Sequence, residues 1–297
     1  MVSIYFDSSH EDSERRRNIY SGDIYVFSSR PSTAALCRVA REMSEEAFAP
    51  RDPQLAQFEL PVEEYAGLLA ELKPRFMHDP RVRDLVRALL RDFGCPPEQT
   101  YFDVPRMRTM THGDYLRSGI ALAVPPHRDT WYAGSQSQLN WWFPIYDLVH
   151  ENTMVFYPRY FRRAVVNSSG GYDHAAWIRW ARQEAAKHVK ADTRAHPEIQ
   201  EEVDAENEVR VLCPVDGLIL FSASHLHATV PNTSGKTRFS VDFRTTDLPD
   251  LMAERGAPNP DSEHTGTTLG EYRRLADLDP PPGDAVRSLE GRTRLTV

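Results

Sequence analysis

The chain has 297 residues, 40% of them hydrophobic, with 35 lysines plus arginines against 43 aspartates plus glutamates and a formal charge of −8. That length suffices for one large or two modest domains, and the acidic balance opposes the basic surface that nonspecific nucleic-acid binding draws on. No apolar run approaches the roughly 20 residues of a bilayer span, the start Met1-Val-Ser-Ile-Tyr-Phe lacks a charged-then-apolar leader, and three scattered cysteines suggest neither disulfides nor a zinc site. A cytoplasmic protein with no nucleic-acid or membrane partner is expected.

Residues 8–17 show no apolar periodicity and read as a solvated segment, and residues 23–28 read as a strand. A helix is expected over 31–48, with Pro31 near its start, and further helices around 62–72 and 81–93. The last carries Val82, Leu85, Val86, Leu89 and Leu90 at helical spacing and is stopped by Gly94. Residues 1–98 thus form a mainly helical region whose apolar stripes should pack on the outside of a β-core over 99–247. In that core, Gly113-Asp114 lies between two apolar runs and reads as a hairpin tip, and residues 138–146 read as a strand. An insert at about 173–206 reads as helix from its run 175–186, after which strand character resumes at 209–212 and ends near 246. Residues 248–297, rich in Pro, Gly, Asp and Arg, are expected to wrap the surface or form a homo-oligomer contact. All of this is read as one domain, 1–297.

The chemistry is concentrated in His127-Arg-Asp129, in His227, and in Arg238-Phe-Ser240. Two histidines and one carboxylate on a single face of a metal ion leave the other face open, which suits iron(II) oxygen chemistry rather than a closed structural site. His10-Glu-Asp12 and His112-Gly-Asp114 match the same pattern, but the first lies in the solvated segment and the second at the turn. In extended chain, residues i and i+2 point the same way, so His127 and Asp129 can face one ion while Arg128 faces elsewhere. Downstream, Ser224-His225-Leu-His227 offers two histidines on one strand face, and His227 lies closer to the turn Pro231-Asn-Thr-Ser-Gly-Lys236. Beyond that turn, Arg238 and Ser240 share a face and can hold the distal carboxylate of a keto acid, with Arg244 on the same face as a competitor. The competing account makes His225 and His227 hydrogen-bonded core residues of an ordinary sandwich.

The stretch Gly217-Leu-Ile-Leu-Phe-Ser-Ala-Ser-His-Leu-His227, followed by Pro231-Asn232 and Arg238, resembles the distal-histidine segment of the iron(II)/2-oxoglutarate-dependent oxygenases, in particular the phytanoyl-CoA-dioxygenase-like branch. The resemblance runs from about 100 to 246. It implies a mainly β, α+β protein with flanking helices around a double-stranded β-helix (jelly-roll, cupin-like) core. It further implies iron(II) held by His127, Asp129 and His227, and 2-oxoglutarate held by Arg238 with Ser240. Trp142 would touch the co-substrate, with Trp141 as the other candidate. The chain departs from the branch at Tyr157-Pro-Arg-Tyr160, where a proline-glycine-serine-histidine sequence is common. Related halogenases replace the metal-binding carboxylate, so Asp129 favours hydroxylation or another oxidation over halogenation. The implied reaction takes up dioxygen, releases succinate and carbon dioxide, and hydroxylates a C–H bond of a small polar metabolite, by family analogy in a specialised biosynthetic pathway. A cupin-like metal enzyme without a keto acid and a metal-free binding protein are the alternatives.

Substrate contacts are sought among residues that could line the barrel. Trp131 and Tyr132 follow Asp129 and could wall the site, or simply pack. Gln138, Asn140 and Trp142 share one strand face, where inward amides would need partners such as substrate or a metal-bound ligand, and Asn140 is expected beside Arg238, Ser240 and Trp142 at the co-substrate. Arg106 and Arg108 would imply an anionic substrate group if they point inward, and a surface salt-bridged pair if they do not.

Overall fold

In the computed structural model, residues 2–121, 123–181, 187, 188, 192 and 194–292 are described. The chain runs β1 (Ile4–Phe6), α1 (Asp12–Ser21), β2 (Ile24–Phe27), α2 (Pro31–Phe48), α3 (Val62–His78) and α4 (Pro80–Asp92). It continues through β3 (Thr100–Phe102), β4 (Arg106–Met110), β5 (Leu139–Pro144), β6 (Met154–Phe156), α5 (His174–Ala176), β7 (Val209–Val211), β8 (Leu218–Ser222), β9 (His227–Thr229) and β10 (Arg238–Asp247). The described residues end with α6 (Leu248–Met252), β11 (Arg273–Arg274) and α7 (Gly283–Arg292).

Period-two alternation on β5, β8 and β10 separates two apolar layers. Trp141, Phe143, Leu218, Leu220, Phe239, Val241 and Phe243 face one way, against Leu36, Ala40, Leu69, Phe76, Val86 and Leu89 of α2, α3 and α4. Trp142, Ile219 and Phe221 face the other way, against Met154, Phe156 and Val211 of the second sheet. Each fully buried side chain of this size contributes about 1.5–3 kcal/mol, so the helical layer is a structural wall of the core. The helices start where expected for local reasons: α2 and α4 open on Pro31 and Pro80, and the Asp79 side chain accepts from the Arg81 amide at 2.8 Å.

The larger sheet has the order β1-β2-β8-β5-β10-β3-β11, with β4 also pairing β10, and the smaller has β7-β6-β9. An antiparallel bridge between His127 and His227 adds the His127 segment beside β9. From β4 to β10 the chain therefore visits the two sheets in turn: β4, the His127 segment, β5, β6 and β7, β8, β9, β10. That is the double-stranded β-helix expected from the sequence, and it puts the His127 and His227 segments side by side.

Three expectations are corrected. The segment read as solvated runs into α1, whose first turns lack an apolar stripe because they are held by ions: Arg15 bonds Asp12 at 3.0 Å and the Phe93 carbonyl at 2.7 Å, and Arg16 bonds Asp250 at 2.8 Å. Gly113-Asp114 is a turn but not a hairpin tip, because β4 pairs with β10 and the Gly113 amide bonds the Asn232 carbonyl at 2.8 Å. The following residues 119–121 form a single helical turn beside α3. In the insert, the described residues are helical at 174–181 and again at 187, and 182–186, 189–191 and 193 lie outside them. Residues 194–206 are extended or turn, with Ile199 bridging Asn167 after Pro197, whose ring disfavours a helical residue before it. No described helix is long and apolar enough to cross a membrane.

Candidate metal centre

His127 lies on the bridge to His227, each backbone amide donating to the other's carbonyl at 2.9 and 3.0 Å. Arg128 is extended, and the chain then turns into a short helix at Asp129, so the expected i, i+2 convergence holds although Asp129 is not in a strand. One ligand atom from each of His127, Asp129 and His227 lies within 4.8 Å of the others, a group that could hold a metal ion. Both imidazoles are aimed by their second nitrogen: His127 Nδ1 is 2.8 Å from the Pro125 carbonyl, and His227 Nδ1 is 2.9 Å from the His225 carbonyl. Donating there leaves each Nε2 with its lone pair for an ion. Burial, then the neighbouring His127, pushes the His227 pKa down to about 3, so the ring is neutral and able to ligate. Burial opposes ionisation of Asp129, but the neighbouring His127, His227 and Arg244 outweigh it and hold the carboxyl below its ordinary range.

His225 does not share a strand with His227. It sits in the turn between β8 and β9, its ring nitrogens at 2.9 Å from the Gly22 carbonyl and 3.2 Å from the Ser222 carbonyl, beside Phe161. It is a core histidine, pushed to about 4 by burial.

Arg238, at the start of β10, is 6% exposed, and its guanidinium lies 5.4 Å from the centre of the Trp142 ring. Its Nη1 donates to the Asn152 carbonyl at 3.0 Å, while Nε is buried with no partner among the described residues. Two residues on, Ser240 Oγ is equally buried and unpartnered. Burial, with Arg108 adding to it and Asp242 opposing, pulls the Arg238 pKa down to about 10. A buried cation and a hydroxyl with unused hydrogen-bonding capacity form a receptor for a carboxylate. Trp141, on the opposite face of β5, packs against the helical layer and is not part of this receptor. Arg244 is spoken for: its Nε and Nη2 reach Asp103 at 2.6 and 2.5 Å.

The expected substrate residues are distributed unevenly. Tyr132 stands edge-on to His127 with centroids 5.9 Å apart, and its hydroxyl bonds the Pro197 carbonyl at 3.3 Å, so it walls the site. Trp131 points away into a buried cluster with Tyr160, Val165 and Leu226, its indole donating to Asp261 at 2.8 Å, which corrects its expected place at the barrel mouth. Gln138 is fully buried, with its amide shared between Asn140 and Tyr272, so it too is removed from any substrate surface. Asn140 is turned to the Asp129 carboxylate rather than toward Arg238. Arg106 pairs with Asp103 at 2.5 Å. Arg108 pairs with Asp242 through Nε at 2.6 Å, yet its side chain is 53% exposed although Met107 beside it faces the helices. It therefore sits on the inner face where the barrel opens. Asp261 and Tyr272, which contact the segment around Asp129, were not singled out from the sequence.

No family model matches the chain, and no curated protein matches it. Among solved structures, EvdO2 from Micromonospora carbonacea var. aurantiaca is 13% identical, over 82% of this chain and 93% of its own, with a TM-score of 0.47. The same protein complexed with 2-oxoglutarate matches at 14% identity over 81% and 92%, with a TM-score of 0.46. The non-heme alpha ketoglutarate dependent epimerase SnoN from nogalamycin biosynthesis matches at 14% over 79% and 82%, with a TM-score of 0.38. What the site can do is decided by its own side chains.

Proposed function

We propose that the protein is an iron(II)- and 2-oxoglutarate-dependent oxygenase that hydroxylates a C–H bond of a small polar metabolite. The observation that carries this reading is the pair of buried, unpartnered atoms, Arg238 Nε and Ser240 Oγ, in the same barrel as a triad with both Nε2 atoms turned inward. A cupin-like metal enzyme that uses no keto acid would have no need of a desolvated arginine beside its metal. Iron(II), 2-oxoglutarate and dioxygen together supply the C–H oxidation, with succinate and carbon dioxide as co-products.

The chain's own groups bind, orient and shield. His127, Asp129 and His227 would hold the ion on one face, and the aimed imidazoles keep that face preorganised. Arg238 and Ser240 would take the distal carboxylate, with Trp142 under the guanidinium. Phe156 stacks on His227 at 6.0 Å between centroids and Phe221 stands edge-on at 5.0 Å, excluding water from the His227 side. Tyr132 closes the His127 side, so the substrate chamber opens toward Arg108.

The test is an anaerobic titration with iron(II) and 2-oxoglutarate, followed by the visible metal-to-ligand absorption band, and then succinate release on admitting air with a metabolite panel. The band should saturate in the wild type and vanish in His127→Ala and Asp129→Ala. Iron binding without any effect of 2-oxoglutarate would favour the cupin-like alternative.

A further inference from the structure

A chain of three hydrogen bonds leads from the C-terminal extension to the proposed metal ligand. The Tyr272 hydroxyl bonds Gln138 Oε1 at 3.1 Å, Gln138 Nε2 donates to Asn140 Oδ1 at 2.9 Å, and Asn140 Nδ2 donates to Asp129 Oδ2 at 2.7 Å. All three relay residues are buried, Tyr272 to 2% exposure. The polarity of the chain is forced. A carboxylate only accepts, so Asn140 must turn its NH2 to Asp129, Gln138 must turn its NH2 to the Asn140 carbonyl, and the Gln138 carbonyl is left for a donor, which the tyrosine hydroxyl is. The far oxygen, Asp129 Oδ1, is then the one on the His127 side, 3.4 Å from His127 Nε2.

Two further features hold the relay in place. A Cβ at Gly134 would come within 2.7 Å of Gln138 Oε1 and 2.9 Å of the Asp129 carbonyl, so Gln138 is enclosed from the loop side. The same extension grips the ligand's neighbours: Asp261 accepts from Arg128 Nε at 3.0 Å and Trp131 Nε1 at 2.8 Å, and the Thr268 amide donates to the Ala133 carbonyl at 3.0 Å.

We propose that the C-terminal extension is a working part of the metal centre, with Tyr272 a positioning residue that fixes, through Gln138 and Asn140, which oxygen of Asp129 faces the ion. This rests on the metal-site reading above. Without the hydroxyl, the buried Gln138 carbonyl loses its donor, and Gln138 and Asn140 are held only from the Asp129 end. Partners behind a metal ligand commonly matter by about 10–100-fold in metal affinity.

The experiment uses the full chain and cobalt(II), titrated anaerobically and followed by its visible d–d absorption, with urea unfolding of each metal-free protein alongside. Gln138→Glu keeps the shape but removes the amide donor. It accepts from both neighbours and reverses Asn140, so cobalt affinity should fall by at least about 10-fold. Tyr272→Phe removes one oxygen and should weaken cobalt by several-fold and change the shape of its absorption band, because the amides behind Asp129 are held less firmly; a purely structural tyrosine would move urea stability without moving the band. Wild-type affinity and spectrum in both variants would overturn the proposal. Loss in Gln138→Glu with Tyr272→Phe unchanged would overturn the role of the extension. A wild type that shows no saturable cobalt spectrum would sink the metal-site reading itself, which keeps the two failures apart.

Discussion

Replacing Arg238 with alanine tests the co-substrate site at its most exposed assumption. In the free protein this guanidinium is buried with one hydrogen bond, from Nη1 to the Asn152 carbonyl, and an unpaired Nε. Desolvation is therefore largely uncompensated, as the fall of its pKa to about 10 reflects. A carboxylate arriving there would meet a charge already stripped of water. Losing one partner of such a pair costs about 2–5 kcal/mol, or on the order of 30-fold to several-thousand-fold in affinity. The structure adds a second, opposite expectation. Because the cation is unsatisfied when 2-oxoglutarate is absent, Arg238→Ala should cost the free protein little stability, and 2-oxoglutarate with metal should raise the melting temperature of the wild type but not of the variant. Arg238→Lys should recover only part of the affinity, since lysine keeps the charge and loses the planar fork over Trp142. The assay is calorimetric titration of the metal-loaded, oxygen-free protein with 2-oxoglutarate, paired with thermal melts. Equal affinity in wild type and Arg238→Ala would refute the assignment, whatever the melts show.

The two histidines are separated by paired variants: His227→Ala should lose iron(II) binding, whereas His225→Ala should keep it and lose stability, since its ring ties the β8–β9 turn to the Gly22 carbonyl. The reverse result would mean that the ring aimed at the ion has been misread. Arg244→Ala should behave as a stability variant. It leaves the fully buried Asp103 with Arg106 and the backbone amide of residue 244, at a cost of about 3 kcal/mol, near the low end for breaking a buried pair because partners remain. Urea unfolding measures that cost, and a 2-oxoglutarate affinity far below wild type in the folded variant would instead make Arg244 the keto-acid arginine.

How much of this could be read from the residues alone follows from the distance over which each signal acts. The helices at 31–48 and 81–93 were legible because their cause is local: a proline at the first position, apolar residues at helical spacing, Gly94 past the end. The convergence of His127, Asp129 and His227 and the inward place of Arg238 were legible because metal and carboxylate chemistry restricts residue type and because residues two apart on extended chain share a face. α1 was not, since Arg15 and Arg16 find carboxylates and a carbonyl on segments as distant in sequence as Asp250, and a charged run looks the same whether water or protein answers it. The inner-face residues failed for the same reason. Gln138 and Trp131 were expected to meet a substrate, and instead Tyr272 and Asp261 meet them first. Amides beside a carboxylate carry no mark of what they bond to, and the partner comes from an extension whose composition suggested a surface wrap or an oligomer contact. That extension bonds the core through Asp261, Thr268 and Tyr272, and the relay that reaches Gln138 has only one orientation consistent with an ionised Asp129. The segment with the weakest sequence signal is thus the one whose hydrogen bonds are most tightly dictated by the site.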